Sequence, residues 1–237
     1  MSPDLSPAVV VGTGLVGASV GCALTRAGVE VFLRDAVAAH AQVAASRGAG
    51  SLAEPVAAEV RLVVAAVPPH ALPAVVDAAL DEFPNATVTD VGSVKGTVLR
   101  ELRARRGDLS RYVGSHPMAG SQLTGPLTAR AELFADRTWV VAPHDTASAH
   151  AVLDVNHLVG LCGARLVTMG AAHHDEAVAQ VSHLPHLASA LVAGSLTGVP
   201  PEHLRLAGQG LRDVTRIAAS DPALWQQIIG DNREAVR

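Results

Sequence analysis

The sequence predicts an α/β fold: a doubly wound parallel sheet over residues 1–170, then a smaller all-helical unit over residues 171–237. Two patterns predict it. Across residues 8–91, short β-branched runs alternate with Ala-rich stretches long enough to form helices, the signature of βαβ units, and further strands are expected up to residue 168. Beyond Gly170 no strand-like run occurs, and the periodicity is helical to the end. Composition agrees, since 49% hydrophobic and 17% charged residues among 237 provide a core and exclude a disordered chain. Aromatics are only 3%, so that core is built from Ala, Val and Leu.

Taken in order, Ala8–Val11 reads as a buried strand, followed by a glycine turn and a helix to about Ala27. Residues 29–33 form a second strand and 36–47 a helix. Residues 61–67 form a third strand that breaks off in Pro68-Pro69, before a helix over 72–80. Strands follow at 87–91, 112–115, Thr138–Ala142 and Arg165–Thr168, with helices over 94–102 and 147–161. The helical unit comprises 174–196, 206–219 and 223–235. About 67 residues are too few to be very stable alone, so this unit is expected to pack on the sheet domain or on a second subunit.

The net charge of −4 leaves no basic footprint, which argues against a nucleic-acid partner. Cys22 and Cys162 lack metal-ligand spacing and read as thiols of a reducing compartment. With no signal-peptide pattern and no uncharged apolar run of membrane-spanning length, the expected location is cytoplasmic, away from membranes. Lys95 is the only lysine beside 17 arginines, and the sequence offers it either a role in the loop around it or a place on the surface.

Gly12-Thr13-Gly14-Leu15-Val16-Gly17 carries G-x-G-x-x-G directly after a strand and opening a helix, the dinucleotide-binding pattern of Rossmann-like folds. Gly12 permits the tight turn, Gly14 close approach to a pyrophosphate, and Gly17 helix–strand packing. Asp35 ends the second strand, 18 residues after Gly17, and is placed to accept from an adenosine ribose hydroxyl. That favours NAD over NADP, although the adjacent Arg34 offers a partner to a 2′-phosphate. Pro68 is assigned to the cofactor side as well.

Further clusters follow at strand ends and in the helical unit: Asp90-Val91-Gly92-Ser93-Val94-Lys95, Gly114-Ser115-His116-Pro117-Met118-Ala119-Gly120, Ser182-His183-Leu184-Pro185-His186, Arg212-Asp213-Val214-Thr215-Arg216, and Ser220-Asp221-Pro222-Ala223-Leu224-Trp225. On these motifs, which occur in family order, the chain resembles the prephenate/arogenate dehydrogenase family of tyrosine biosynthesis. The resemblance implies an NAD-dependent oxidative decarboxylation of a cyclohexadienol dicarboxylate, a homodimer, and no metal.

It assigns His116 as the catalytic base for the 4-hydroxyl, with Ser93 hydrogen-bonding both the hydroxyl and His116. A helix N-cap before 94–102 is also open to Ser93. Arg216 is assigned to a substrate carboxylate and His186 to the substrate side chain. Asp213 and Arg216, three apart on a predicted helix, share a face and can pair, which would present the guanidinium fork. His183 and His186 lack a third ligand at helix spacing, so no metal is expected. His174-Asp175 matches the motif and reads as structural, and Trp225 as a packing residue.

Ser121 and Gln122 stand on the substrate side where relatives carry Thr-Glu. Gln122 cannot form the ion pair that a glutamate would. Gln209 replaces a glycine that many relatives have before the Arg-Asp pair. Relatives also continue past the point where this chain stops, so either a shortened protein or a truncated one is expected, with no regulatory domain in the sequence given. Prephenate is the expected substrate, with arogenate the close alternative. A β-hydroxyacid dehydrogenase would need a lysine after Lys95, which is absent. A non-catalytic dinucleotide sensor is the reading of a different class.

Overall fold

The structure, a computed structural model, describes residues 4–119 and 125–237 and divides into two units, the first ending at His174 and the second beginning at Asp175. The first unit is built on seven strands: β1 (Ala8–Val11), β2 (Val31–Arg34), β3 (Leu62–Ala65), β4 (Thr87–Asp90), β5 (Tyr112–Pro117), β6 (Thr138–Ala142) and β7 (Arg165–Thr168). Its helices are α1 (Leu15–Arg26), α2 (Ala38–Ser46), α3 (Leu72–Glu82), α4 (Gly96–Arg105) and α5 (Ala149–Leu161).

The strands lie in the order β2-β1-β3-β4-β5-β6-β7. Neighbours from β2 to β5 are parallel, as the crossover helices require. The all-parallel expectation fails at one place. β5 pairs antiparallel with β6, because the described residues between them form only two 3₁₀ turns, Pro126–Thr128 and Ala131–Phe134, and no crossover helix. α5 then carries the chain from β6 to a parallel β7.

Successive strand residues feed opposite faces. Val10, Leu33, Val64, Val113 and Val141 pack with Ala18 of α1 and with Val155 and Leu158 of α5. Val9, Phe32, Val63 and Val88 pack with Val76 and Leu80 of α3 and with Val98 and Leu102 of α4. Both faces are therefore covered, which is why the strands read as continuous apolar runs in place of alternation. Each fully buried Val or Leu contributes about 1.5–3 kcal/mol, so the sheet is a rigid platform for whatever its carboxyl edge carries.

The second unit continues α6 (Ala171–Val178), which starts in the first, and adds α7 (Leu184–Ser195), α8 (Pro201–Leu204), α9 (Gln209–Thr215), α10 (Pro222–Asp231) and α11 (Arg233–Val236). The helix expected across 174–196 is interrupted by a π turn, Ala179–His183. Pro185 explains it: without an N–H, and with a ring that crowds the carbonyl four residues back, it sits in the first turn of α7. Asp221 caps α10 by accepting from the Ala223 amide at 2.9 Å, with Pro222 as its first residue. Among the described residues no helix is long and apolar enough to cross a membrane.

Candidate active site

The chain reverses its strand order between β1 and β3, and the glycine loop leaves β1 at that point. Gly12 has φ +94, and a Cβ there would lie 2.3 Å from the Ala66 carbonyl oxygen. Its lack of a side chain lets the loop press against the end of β3. A Cβ on Gly17 would lie 1.9 Å from the Gly12 oxygen, so α1 begins directly on the turn. Gly14 differs: a Cβ there meets nothing within 4 Å. The chain's own packing does not require that glycine, whereas a ligand laid against the loop would. Gly14 caps α1 without a side-chain bond, leaving the first-turn amides of Leu15, Val16 and Gly17 to an anion.

Asp35 is bonded into the same loop. Its Oδ2 accepts from the Thr13 amide at 2.6 Å and the Thr13 hydroxyl at 2.8 Å, and its Oδ1 from the Val37 amide at 2.8 Å. Burial works to raise its pKa, but these bonds outweigh it and hold the carboxyl below its ordinary value. Asp35 lines a cleft of about 450 Å³ with Leu33, Ala38, Gln42, Leu52 and Glu54. Arg34 lies beside it, but its guanidinium is taken up by Glu82 at 2.8 Å and Glu54 at 2.6 Å, above the Phe83 ring. Pro68 is exposed just past β3 and precedes the 3₁₀ turn Pro69–Ala71.

The carboxyl ends of β4 and β5 are joined by a buried polar network. Asp90 is fully buried and pairs with Lys95, itself 2% exposed. The Lys95 ammonium also donates to the Ser115 carbonyl at 2.7 Å, the Tyr112 hydroxyl donates to Asp90 at 2.7 Å, and the Gly92 amide donates to Asp90 at 2.8 Å. Ser115 Oγ donates to the Asp90 carbonyl at 2.8 Å. Burial above all, then the charge and bond of Asp90, push the Tyr112 pKa well up, so its hydroxyl stays a donor. The lone lysine is therefore an interior cation, ruling out its surface reading. Ser93 sits half-buried in the loop this network holds. It is not a helix N-cap, since α4 starts at Gly96 after Lys95.

His116 follows Ser115 in β5, half-buried. Its Nδ1 lies 2.9 Å from Nε2 of His174, in a hydrogen bond between two rings inclined at 74°. His174 is fully buried. The His174-Asp175 motif predicts a structural histidine, and nothing in a separation of 58 residues signals that the two rings meet.

In the second unit, the rings of His186 and Trp225 stack with centroids 3.5 Å apart and planes 7° apart, on the wall of a 480 Å³ cavity that also includes Ser220, Gln226 and Arg233. Burial lowers the His186 pKa, keeping the ring neutral at neutral pH. Trp225 is thus the histidine's stacking partner as well as a packing residue. His183 is buried, and Nδ2 of Asn232 donates both to its Nδ1 at 3.1 Å and to the Asp175 carbonyl at 2.8 Å. The expected Asp213–Arg216 pair does not form. Asp213 accepts instead from Gln209 Nε2 at 2.7 Å, and α9 ends at Thr215, just before Arg216. Ser121 and Gln122 lie outside the described residues. Among the described residues no group of three His, Cys, Asp or Glu could hold a metal ion.

Residues 20–168 match the family described as prephenate dehydrogenase, nucleotide-binding domain, and residues 170–237 the prephenate dehydrogenase dimerization domain. The chain is 36% identical over 230 residues to a Streptomyces niveus protein described as probable prephenate dehydrogenase NovF, covering 97% of this chain and 63% of that protein. A prephenate dehydrogenase of Bacillus subtilis is 32% identical over 152 residues, 63% of this chain and 41% of that protein. The chain thus spans less than two thirds of the length of the curated relatives it matches. Among solved structures, prephenate dehydrogenase from A. aeolicus in complex with hydroxyphenyl propionate and NAD+ superposes with a TM-score of 0.88 at 27% identity, over 100% of this chain and 86% of that one. Synechocystis arogenate dehydrogenase gives 0.80 at 26% identity, over 97% and 85%.

Proposed function

The chain belongs to the prephenate dehydrogenase family, and we propose that it oxidises prephenate with NAD, releasing CO2 and leaving 4-hydroxyphenylpyruvate. The observation that carries this reading is His116, an imidazole at the carboxyl end of a central strand whose Nδ1 is committed to a buried partner. The base role then falls to Nε2. As C4 of the ring is oxidised, Nε2 takes the proton of the 4-hydroxyl. The C1 carboxylate leaves as CO2, its bonding pair flows through the ring to the C4 oxygen, and His116 returns the proton to form the phenol. The reaction consumes no net proton, which suits a base that both takes and gives near neutrality.

NAD bound along the glycine loop supplies the hydride acceptor. Residues 12–17 and the α1 amides would take its pyrophosphate, Asp35 its ribose hydroxyl, and Pro68 would flank it. A 2′-phosphate would face Asp35 and Glu54 with Arg34 already neutralised by two carboxylates, which favours NAD over NADP. Ser93 is assigned a hydrogen bond to the hydroxyl. The substrate's anionic groups are assigned to Arg216 and His186, with Asp213, Ser121 and Gln122 on the substrate side.

A homodimer fits the second unit, which exposes Val181 by 70%, Leu191 by 74% and Leu206 by 85%. A cytoplasmic location fits the free thiols of Cys22 and Cys162.

The likeness to an arogenate dehydrogenase keeps arogenate as the second substrate to test. Reduced-cofactor formation from prephenate and from arogenate, each with NAD and NADP, decides among these. The reading expects the largest kcat/KM with prephenate and NAD. No turnover with either substrate would leave a nucleotide-binding protein of another role.

A further inference from the structure

We propose that His174 is a positioning residue that sets the tautomer of His116, so that His116 presents an unprotonated Nε2 to the substrate. The proposal rests on the reading of His116 as the base. It starts from one contact inside the first unit: His116 Nδ1 and His174 Nε2 are 2.9 Å apart, with ring centroids at 5.1 Å.

An N–H···N bond has one donor and one acceptor, so only two arrangements exist for neutral rings. If His174 donates from Nε2, His116 carries its own hydrogen on Nε2 and cannot take another there. If His116 donates from Nδ1, its Nε2 bears the lone pair that a base needs. Only the second arrangement is productive, and in it His174 is the acceptor, with its own hydrogen on Nδ1. Two fully protonated rings would set hydrogen against hydrogen, so the bonded pair carries at most one positive charge.

This arrangement also favours the transition state over the ground state. When Nε2 of His116 takes the hydroxyl proton, the ring becomes cationic, and its Nδ1–H···Nε2 bond to His174 becomes charge-assisted. The bond therefore strengthens as the proton arrives, which is the condition for raising kcat without tightening substrate binding. An aspartate plays the corresponding part in serine-protease triads, where the wrong tautomer is the main consequence of its loss. An imidazole does so here without adding a negative charge beside the substrate's carboxylates. His174 is suited to the task because its ring is fully buried and its backbone is anchored on α6, with its amide donating to the Gly170 carbonyl at 2.9 Å.

The test combines nitrogen-15 NMR of the imidazoles in the cofactor-free protein with steady-state kinetics, His116 being assigned by its disappearance in His116→Asn. The unmodified protein should show His116 as the Nδ1–H tautomer at neutral pH, and His174→Met should move it toward Nε2–H. That variant should lose kcat by about 10–100-fold, the range for a charge-assisted bond, with KM for prephenate changed by less than about 3-fold. His174→Gln, whose amide oxygen can accept from Nδ1–H, should recover most of the loss. An Nε2–H tautomer in the unmodified protein overturns the proposal, even if the Met variant fails to fold. So does a Met variant with full kcat, or a Gln variant as impaired as Met. Absence of prephenate turnover in the unmodified protein would instead remove the role proposed for His116, a failure separate from the tautomer itself.

Discussion

Replacing Lys95 with Met should destabilise the first unit severely, because Asp90 would be left fully buried without its cation. Breaking a buried ion pair by removing one member typically costs about 3–5 kcal/mol. Asp90 keeps two donors, the Tyr112 hydroxyl at 2.7 Å and the Gly92 amide at 2.8 Å, which sets the expected loss near the lower end, about 3 kcal/mol. Against a total stability of about 5–15 kcal/mol this is a large fraction. At this chain length it corresponds to a Tm lower by roughly 10 °C. Adding Asp90→Asn should restore about 1–2 kcal/mol, since the carboxamide is neutral, its oxygen can still accept from the Gly92 amide, and its NH2 can donate to the Tyr112 hydroxyl oxygen. Urea unfolding followed by circular dichroism measures both variants. A loss below about 1 kcal/mol would refute the reasoning, because Lys95 would then behave as an exposed bridge.

Gly14→Ala should leave the melting temperature unchanged, since its Cβ meets nothing within 4 Å, yet weaken NAD binding by about 10-fold or more. Gly17→Ala, whose Cβ would sit 1.9 Å from the Gly12 oxygen, should lower the melting temperature itself; equal effects of the two on folding would contradict this division. Arg216→Lys should raise KM for prephenate about 10-fold or more with NAD affinity intact, as one arm of a bidentate contact is lost; an unchanged KM would make Arg216 structural. His144 has its pKa lowered, first by burial, against the opposing bond to the Tyr112 carbonyl. The unfolded chain therefore takes up this proton first, and stability present at pH 7 should decline as pH falls through about 6.5 and below. His144→Gln should flatten that slope, and a variant with the same pH dependence would rule the histidine out as its source.

Strand β1 was legible because a buried parallel strand reads as an apolar run such as Ala8–Val11, and the structure also places β6 and the exposed β7 on the residues expected. The direction of β6 was not, because it depends on what connects it to β5 and not on its own residues. In the candidate site, the glycine spacing announces a turn in which Gly12 and Gly17 meet locally, whereas the approach of Gly12 to Ala66, past the end of β3, is a tertiary contact. The Asp213–Arg216 pair did not follow from its spacing, because Asp213 instead accepts from Gln209, four residues earlier on the same helix. The meeting of His116 with His174 and the burial of Lys95 against Asp90 are tertiary events. The sequence marked both histidines and the lone lysine as notable, but not what each one touches.

Single-turnover and steady-state oxidation of prephenate by the unmodified protein and by His116→Asn, with NADH and CO2 both quantified, is the most direct test of the proposed chemistry. The unmodified protein should form the two products in equal amounts. The variant should bind NAD normally and lose about 10²–10⁴ in kcat, the range for a missing general base. Unequal products, or a folded His116→Asn variant that keeps near-normal kcat, would contradict it.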